Sequence, residues 1–461
     1  MQSRRSVLTG GSAALIAGAA PRNAWGKTEA DVIVIGAGLA GLYAAHRLEV
    51  EGKKVIIVEG ERRVGGRLHT LNDLPGKPDA GGIQVGKNYR LLRAIADDLK
   101  VELNEDSPAT PSALYRINGE TITAALWPTS SVNSLSNADR ATLPLALGGK
   151  YAAALPRLDT QDSWMDANPT LDRPYEDFLT SQGASAEALR LIQTNMNGNR
   201  LSGMSQLHMM RSMGIVRAGP GASSTIKGGS QRLPEAIAAA LKSPIRLGQV
   251  VSAIREDASG VSLTTSRGTI RARHVICTIP FAALRHIAIE ASLDPAIATL
   301  IPSLSYTRAS FAYISASSAF WKEDGLPETL WTDDPLLGRI FVLGDSPPML
   351  KLWTVGAGAD LLDRMAPASA SAEIIARIEA ARPSAKGKLK VERFYSWQKS
   401  PMARGIYHHI GTGQGALLAA AVRAKGKRLH FAGEHLAQTS SGMEGALESG
   451  GCVGRMLAEM S

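Results

Sequence analysis

The chain has 461 residues, of which 44% are hydrophobic and 20% charged, the balance of a globular protein rather than a disordered one. That length asks for two domains, and no internal run is apolar enough for long enough to make a stable membrane span. The net charge of +9 is scattered, with no basic tail and no aromatic-interleaved patch, which argues against a nucleic-acid partner. Two cysteines, Cys277 and Cys452, are too few for a disulfide framework or a metal cluster; both read as buried thiols, and no metal site is expected.

The first element is a leader. "SRRSVLTGGSAALIAGAA" sets Arg4-Arg5 before a weakly apolar, small-residue run and resembles a twin-arginine export signal. Residues 1–26 are therefore expected to address the chain, folded, to the twin-arginine machinery and the periplasm.

"DVIVIGAGLAGLYAAHRLEVEGKKVIIVEG" follows as one unit. Val32 to Ile35 is a continuous apolar run, as in a strand buried on both faces. Gly36, Gly38 and Gly41 then fall in G-x-G-x-x-G spacing, with Ala37, Leu39 and Ala40 between them. Gly36 permits the tight turn, Gly38 lets backbone approach a pyrophosphate, and Gly41 lets helix pack on strand. Leu39 to Val50 has helical periodicity, Gly52 stops it, and Val55 to Val58 is a second strand ending at Glu59 and Gly60. An acid at that point suits ribose hydroxyls, so the unit predicts dinucleotide binding. Further glycine pairs, Gly65-Gly66 before Arg67 and Gly81-Gly82 after Asp79, suit a large flat ring lying along the backbone, with Arg67 meeting phosphate or ring oxygens.

These motifs, with "IKGGSQRLPEAIAAAL", "QVVSAIRED", "HVICTIPFAAL", "SWQKSPMARGIY" and "FAGEHLAQTSSGMEGALESG", resemble in order those of the flavin-containing amine oxidase family. The resemblance implies an α/β fold: a Rossmann-like FAD-binding domain (29–90, 222–300 and 390–461) with an inserted α+β substrate domain (91–221 and 301–389). It implies FAD as cofactor, a small-molecule amine as substrate, and oxidation of an amine C–N bond to an imine. Gly36, Ala37, Gly38, Leu39, Ala40, Gly41, Glu59, Gly60, Gly66, Arg67, Gly82, Ile83, Gln84, Val251 and Pro280 are the expected cofactor contacts from the first two thirds of the chain. Trp397, Gly433, Glu434, Gly442, Met443 and Ala446 are those from the last motifs, Gly433 and Glu434 at the ribityl-phosphate portion. Tyr407 is the expected substrate-positioning residue. Ser441 and Glu444 have capping-box spacing, which puts the start of a glycine-rich last helix at Gly442, its free amides toward the flavin.

Three positions depart from the family pattern. Ile406 stands where some relatives carry a flavin-linked cysteine, so FAD is expected to be noncovalent. Gln84 follows Gly82-Ile83 where amino-acid oxidases often carry arginine, and a neutral amide cannot clamp a carboxylate unless another arginine supplies the charge. Phe311 holds the place of a lysine associated with the oxygen reaction, so slower oxygen use is expected, with electrons passing to oxygen, giving hydrogen peroxide, or to an envelope acceptor. His208, His408, His409 and His435 read as surface or structural. Met204, Met209, Met210 and Met213 read as core, with a substrate channel as the lesser reading. The competing readings are a carotenoid-type FAD desaturase or isomerase, against which the Trp397 and Tyr407 segment speaks, and a non-catalytic exported flavoprotein.

Overall fold

Two sheets organise the computed structural model, which describes residues 29–105, 112–136, 138–221 and 223–460; the leader lies outside them. The first sheet is built on the Ala30–Ile35 strand, which pairs in parallel with Val55–Val58 on one side and Gly268–Cys277 on the other. Its apolar run is buried because both faces are covered. Antiparallel strands Val251–Asp257 and Gly260–Thr265 extend the sheet beyond Gly268–Cys277, and Leu429–Phe431 pairs in parallel with the end of Gly268–Cys277.

The Leu39–Val50 helix crosses this sheet and packs on the last helix, Gly442–Glu459. The contact is backbone on backbone: a Cβ at Gly450 would lie 2.1 Å from the Ala40 carbonyl oxygen. Met443, Leu447 and Leu457 are buried on the same helix, while Cys452 faces solvent and only Cys277 is buried. The expected capping box does not form. Ser441 makes no side-chain cap, and Glu444 instead accepts the amides of Leu91 (2.8 Å) and Leu92 (3.0 Å) at the start of the Arg90–Asp98 helix. A carboxylate with a choice of orphan helix donors has gone to a neighbouring helix, leaving the last helix without a side-chain cap.

The second sheet runs in the order Leu389–Ser396, Ala309–Ala316, Pro348–Val355, Arg339–Asp345, Thr329–Thr332, Ala113–Ile117, Glu120–Ile122. Leu389–Ser396 thus belongs to this layer, and the chain returns to the first sheet later than the boundary at 390 expected from sequence. Helices Pro144–Ala152, Tyr175–Ser181, Ala186–Asn195 and Gln206–Ala218 close the second layer around Trp127, Tyr175, Phe178, Leu191 and Trp331. Met204 and Met210 are buried in that core, and Met209 and Met213 pack against it, so the methionines fill core rather than line a channel. No helix among the described residues is long and apolar enough to cross a membrane.

Candidate functional site

A long cavity runs from the first glycine turn to the edge of the second sheet. Gly36, Gly38, Leu39, Ala40, Glu59, Gly60, Gly66, Arg67 and Gly82 border its first part, with Val251 and Pro280 from the neighbouring strands. Trp397, Tyr407, Gly433, Glu434, Gly442, Met443 and Ala446 border the rest. Residues far apart in sequence meet here because parallel strands end on one side of a sheet, where loops and helix N-termini gather.

Gly38 is the N-cap of the Leu39–Val50 helix, with no side-chain cap, and a Cβ there would meet no atom within 4 Å. Open space and uncapped amides at a helix start are what an anionic phosphate requires. Glu59 is buried and already accepts two amides, Ala37 N at 2.7 Å and Glu61 N at 2.8 Å. Burial raises its pKa and those hydrogen bonds oppose the rise. Each carboxylate oxygen keeps a lone pair for a ribose hydroxyl. Arg67 donates through Nη1 to the Ile406 carbonyl (2.9 Å) and to Glu434 (2.8 Å), and its remaining guanidinium N–H groups are unspent among the described residues. Ile406 also borders the cavity and offers no sulfur for a covalent link. Gly442 opens the last helix at φ 57°, again without a side-chain cap. These two bare helix starts, the acid and the free arginine donors fit FAD.

Four expected contacts lie elsewhere. The Ala37 amide is spent on Glu59, and a Cβ at Gly41 would sit 2.0 Å from the Gly36 carbonyl oxygen, so both residues shape the turn from behind. Beyond Gly82 (φ 51°) the chain turns away; Val85 bridges to Ser224, Ile83 does not border the cavity and Gln84 is exposed. Glu434 is at the wall, yet its oxygens are engaged by protein: Oε1 by Arg67 and the His408 amide, Oε2 by His408 Nδ1 at 2.7 Å. His408 Nε2 lies 3.4 Å from Arg211 Nη1, which selects the tautomer that donates from Nδ1. Arg211 stacks on Trp164 and donates to the carbonyls of Ala437 and Ser440, fixing the loop before the last helix. His208, His408, His409 and His435 are withdrawn from water rather than on the surface: all but His208 are fully buried.

Glu434 is therefore the counter-charge that holds Arg67. Burial pushes its pKa up, but His408 and Arg67 outweigh burial and hold it well below the usual range. Its stabilisation is present above ordinary carboxylate pKa values and is lost as pH falls below them. Glu434→Gln is expected to cost about 3 kcal/mol, because one partner of a buried pair is removed. Denaturant melts between pH 2 and pH 8 check this: the variant should lose most at neutral pH and show a flatter limb below about pH 4.

At the far end, aromatic side chains converge. Trp397 Nε1 donates to the Ala80 carbonyl (2.7 Å) and its ring covers Gly81, where a Cβ would lie 2.9 Å away. The Tyr407 hydroxyl donates to the Asn197 carbonyl (3.1 Å), and burial raises its pKa so that it stays a phenol. Phe311 and Trp353, opposite each other on adjacent strands, complete the wall. Behind Phe311 lies a residue that sequence reading missed. Lys351 is fully buried, its Nζ 4.2 Å from the Phe311 ring centroid, 5.2 Å from Trp353 and 5.4 Å from Tyr313. It donates to the Asp79 carbonyl at 2.8 Å, which also accepts the Tyr313 hydroxyl. An ammonium thus stands beside position 311 after all, supplied by the next strand. No group of acidic, histidine or cysteine side chains suited to a metal ion occurs among the described residues.

Comparison with known proteins agrees with this geometry. The family described as flavin containing amine oxidoreductase matches residues 39–452. The flavin-dependent L-tryptophan oxidase of Lentzea aerocolonigenes is 25% identical, covering 91% of this chain and 96% of its own. The L-amino-acid oxidase of Siganus canaliculatus is also 25% identical, over 92% of this chain and 84% of that protein. Among solved structures, the cyclohexylamine oxidase of Brevibacterium oxydans superposes with a TM-score of 0.76 at 24% identity, covering 94% of this chain and 99% of that one.

Proposed function

Because the chain belongs to the flavin-containing amine oxidoreductase family, and so is an FAD-dependent oxidoreductase acting on amines, we propose that it oxidises the α-carbon of a primary or secondary amine at the aromatic end of its cavity. The observation that carries this reading is the junction of the dinucleotide cradle with a cleft walled by Phe311, Trp353, Trp397 and Tyr407. Bound FAD supplies the acceptor for the hydride equivalent leaving the amine carbon, and water then releases a carbonyl compound from the imine. The protein excludes water with these rings and orients the C–H bond. Tyr407 stays protonated and tethered to Asn197, so it positions substrate rather than acting as a base.

Anaerobic bleaching of the flavin by a panel of amines tests the reading; failure of every amine to bleach it would sink it. For the electron acceptor we propose oxygen or an envelope carrier, with export through the twin-arginine route to the periplasm. Rapid reoxidation of the reduced enzyme by air in a stopped-flow instrument would settle on oxygen. Retention of an Arg4→Lys, Arg5→Lys double variant in the cytoplasm, with the unaltered chain outside it, is the expected mark of the export route.

A further inference from the structure

At the aromatic end one cation has no counter-ion among the described residues. Arg339 opens the Arg339–Asp345 strand directly across from Trp353, and its guanidinium carbon lies 5.7 Å from the indole centroid. One N–H donates, to Asn197 Oδ1 at 2.5 Å. The carbonyl of the same asparagine accepts the Tyr407 hydroxyl, so Asn197 joins this guanidinium to a phenol on the cavity wall. Arg339 forms no ion pair among the described residues. Arg382, by contrast, is clamped bidentately by Asp324, both bonds at 2.7 Å. A second donor nearby is also unspent: the buried Trp353 Nε1 has no partner among the described residues. Arg339 is only partly buried and its bond to the exposed Asn197 faces solvent, while the packing around it lowers its pKa.

A guanidinium fork with N–H groups unspent among the described residues and an orphan indole N–H form a donor set matched to a carboxylate. Resting on the amine-oxidase reading above, we propose that Arg339 and Trp353 form a carboxylate subsite, and that the substrate is an α-amino acid rather than a simple amine. The charge missing at Gln84, which is exposed and off the cavity, is supplied here from the second sheet by a guanidinium that does not itself border the cavity but rests on Trp353, which does. The reaction then balances as follows. The amino acid loses the hydrogen on Cα with its electron pair, and one proton from nitrogen, to FAD. The resulting imino acid takes up water and yields a 2-oxo acid and ammonia, and the reduced flavin passes two electrons to the acceptor proposed above.

The test uses FAD-loaded enzyme, Arg339→Met and Arg339→Lys, with matched pairs such as L-leucine and 3-methylbutylamine. Anaerobic flavin reduction gives kcat and KM, and perturbation of the flavin spectrum by benzoate reports carboxylate binding without turnover. The unaltered enzyme is expected to prefer the amino acid. Arg339→Met should raise its KM by roughly 10- to 100-fold, the worth of a charged hydrogen bond, with a smaller change in kcat. It should also abolish the benzoate signal and change the KM of the amine far less than that of the amino acid, while Arg339→Lys restores part of the binding. Oxidation of the amine but not the amino acid, or equal KM values for both in Arg339→Met and the unaltered enzyme, overturns the subsite and leaves the amine-oxidase reading standing. Bleaching by neither class overturns that reading itself. Should Arg339→Met fail to retain FAD, Arg339→Lys decides by the same KM and benzoate measurements.

Discussion

Gly41→Ala is expected to yield a protein that neither retains FAD nor melts as the unaltered apoprotein does, whereas Gly38→Ala, three positions earlier, should melt normally and fail only in FAD binding. The difference lies in what each new methyl would meet. At Gly41 it would lie 2.0 Å from the Gly36 carbonyl oxygen and 3.0 Å from Val34 Cγ1, and a backbone carbonyl cannot rotate aside as a side chain does. The turn or the helix must shift, at a cost of about 1–3 kcal/mol for overpacking, and the amides at the helix start shift with it. At Gly38 the methyl meets no protein atom within 4 Å, and the residue's φ of −80° is open to alanine. Its space is the ligand's. Apoprotein melting curves and FAD titrations on the two variants separate these outcomes. Equal apo stability in both variants would show that Gly41 does not set the helix-to-strand distance.

Lys351→Met should make the apoprotein more stable at pH 6, with the advantage fading by pH 10. Burial pushes the ammonium down to about 7, with Asp79 offering partial support. In the unfolded chain it titrates near 10.4. Between those values the unfolded state binds the extra proton, so stability rises with pH across that window, and the penalty is fully present below about pH 7. The size implied is a few kcal/mol, on the order of 1.4 kcal/mol for each pKa unit. Methionine fills the slot between the rings without a charge. The Asp79 carbonyl keeps its bond from the Tyr313 hydroxyl, so no acceptor is orphaned. Thermal melts from pH 6 to pH 10 decide: a gap between the two proteins that does not vary with pH would mean that Lys351 does not titrate in this range. In the FAD-loaded enzyme, reoxidation by oxygen should slow and lose its pH dependence near 7 if this ammonium does the work expected of a lysine at position 311.

The dinucleotide cradle was legible because its information is local. Strand, turn, helix, strand and acid lie within one continuous stretch, and each residue type answers to a nearby backbone requirement. The aromatic end was legible only where a motif marked it, at Trp397 and Tyr407. Lys351, Trp353 and Arg339 carry no such mark. Of these only Trp353 borders the cavity, and the other two are set beside its wall by cross-strand register, Tyr313 opposite Lys351, Phe311 opposite Trp353, and Trp353 opposite Arg339; register is a property of paired strands rather than of either alone. The same limit explains Ser441 and Glu444. Their spacing satisfies a local rule, but a distant helix offered the carboxylate two amides at once. Glu434 borders the cavity, but its partner could not be read from the sequence, since Arg67 lies 367 residues away.

That separation also bears on timing. The first cradle emerges early from the ribosome, but its opposite wall, from Gly433 to Ala446, and the helix that packs on Ala40 and Ala44 follow only near the end of synthesis. A nascent chain therefore holds half a binding site, and cofactor capture becomes a checkpoint on completion: a chain stalled before its last helix should be made but should never turn yellow.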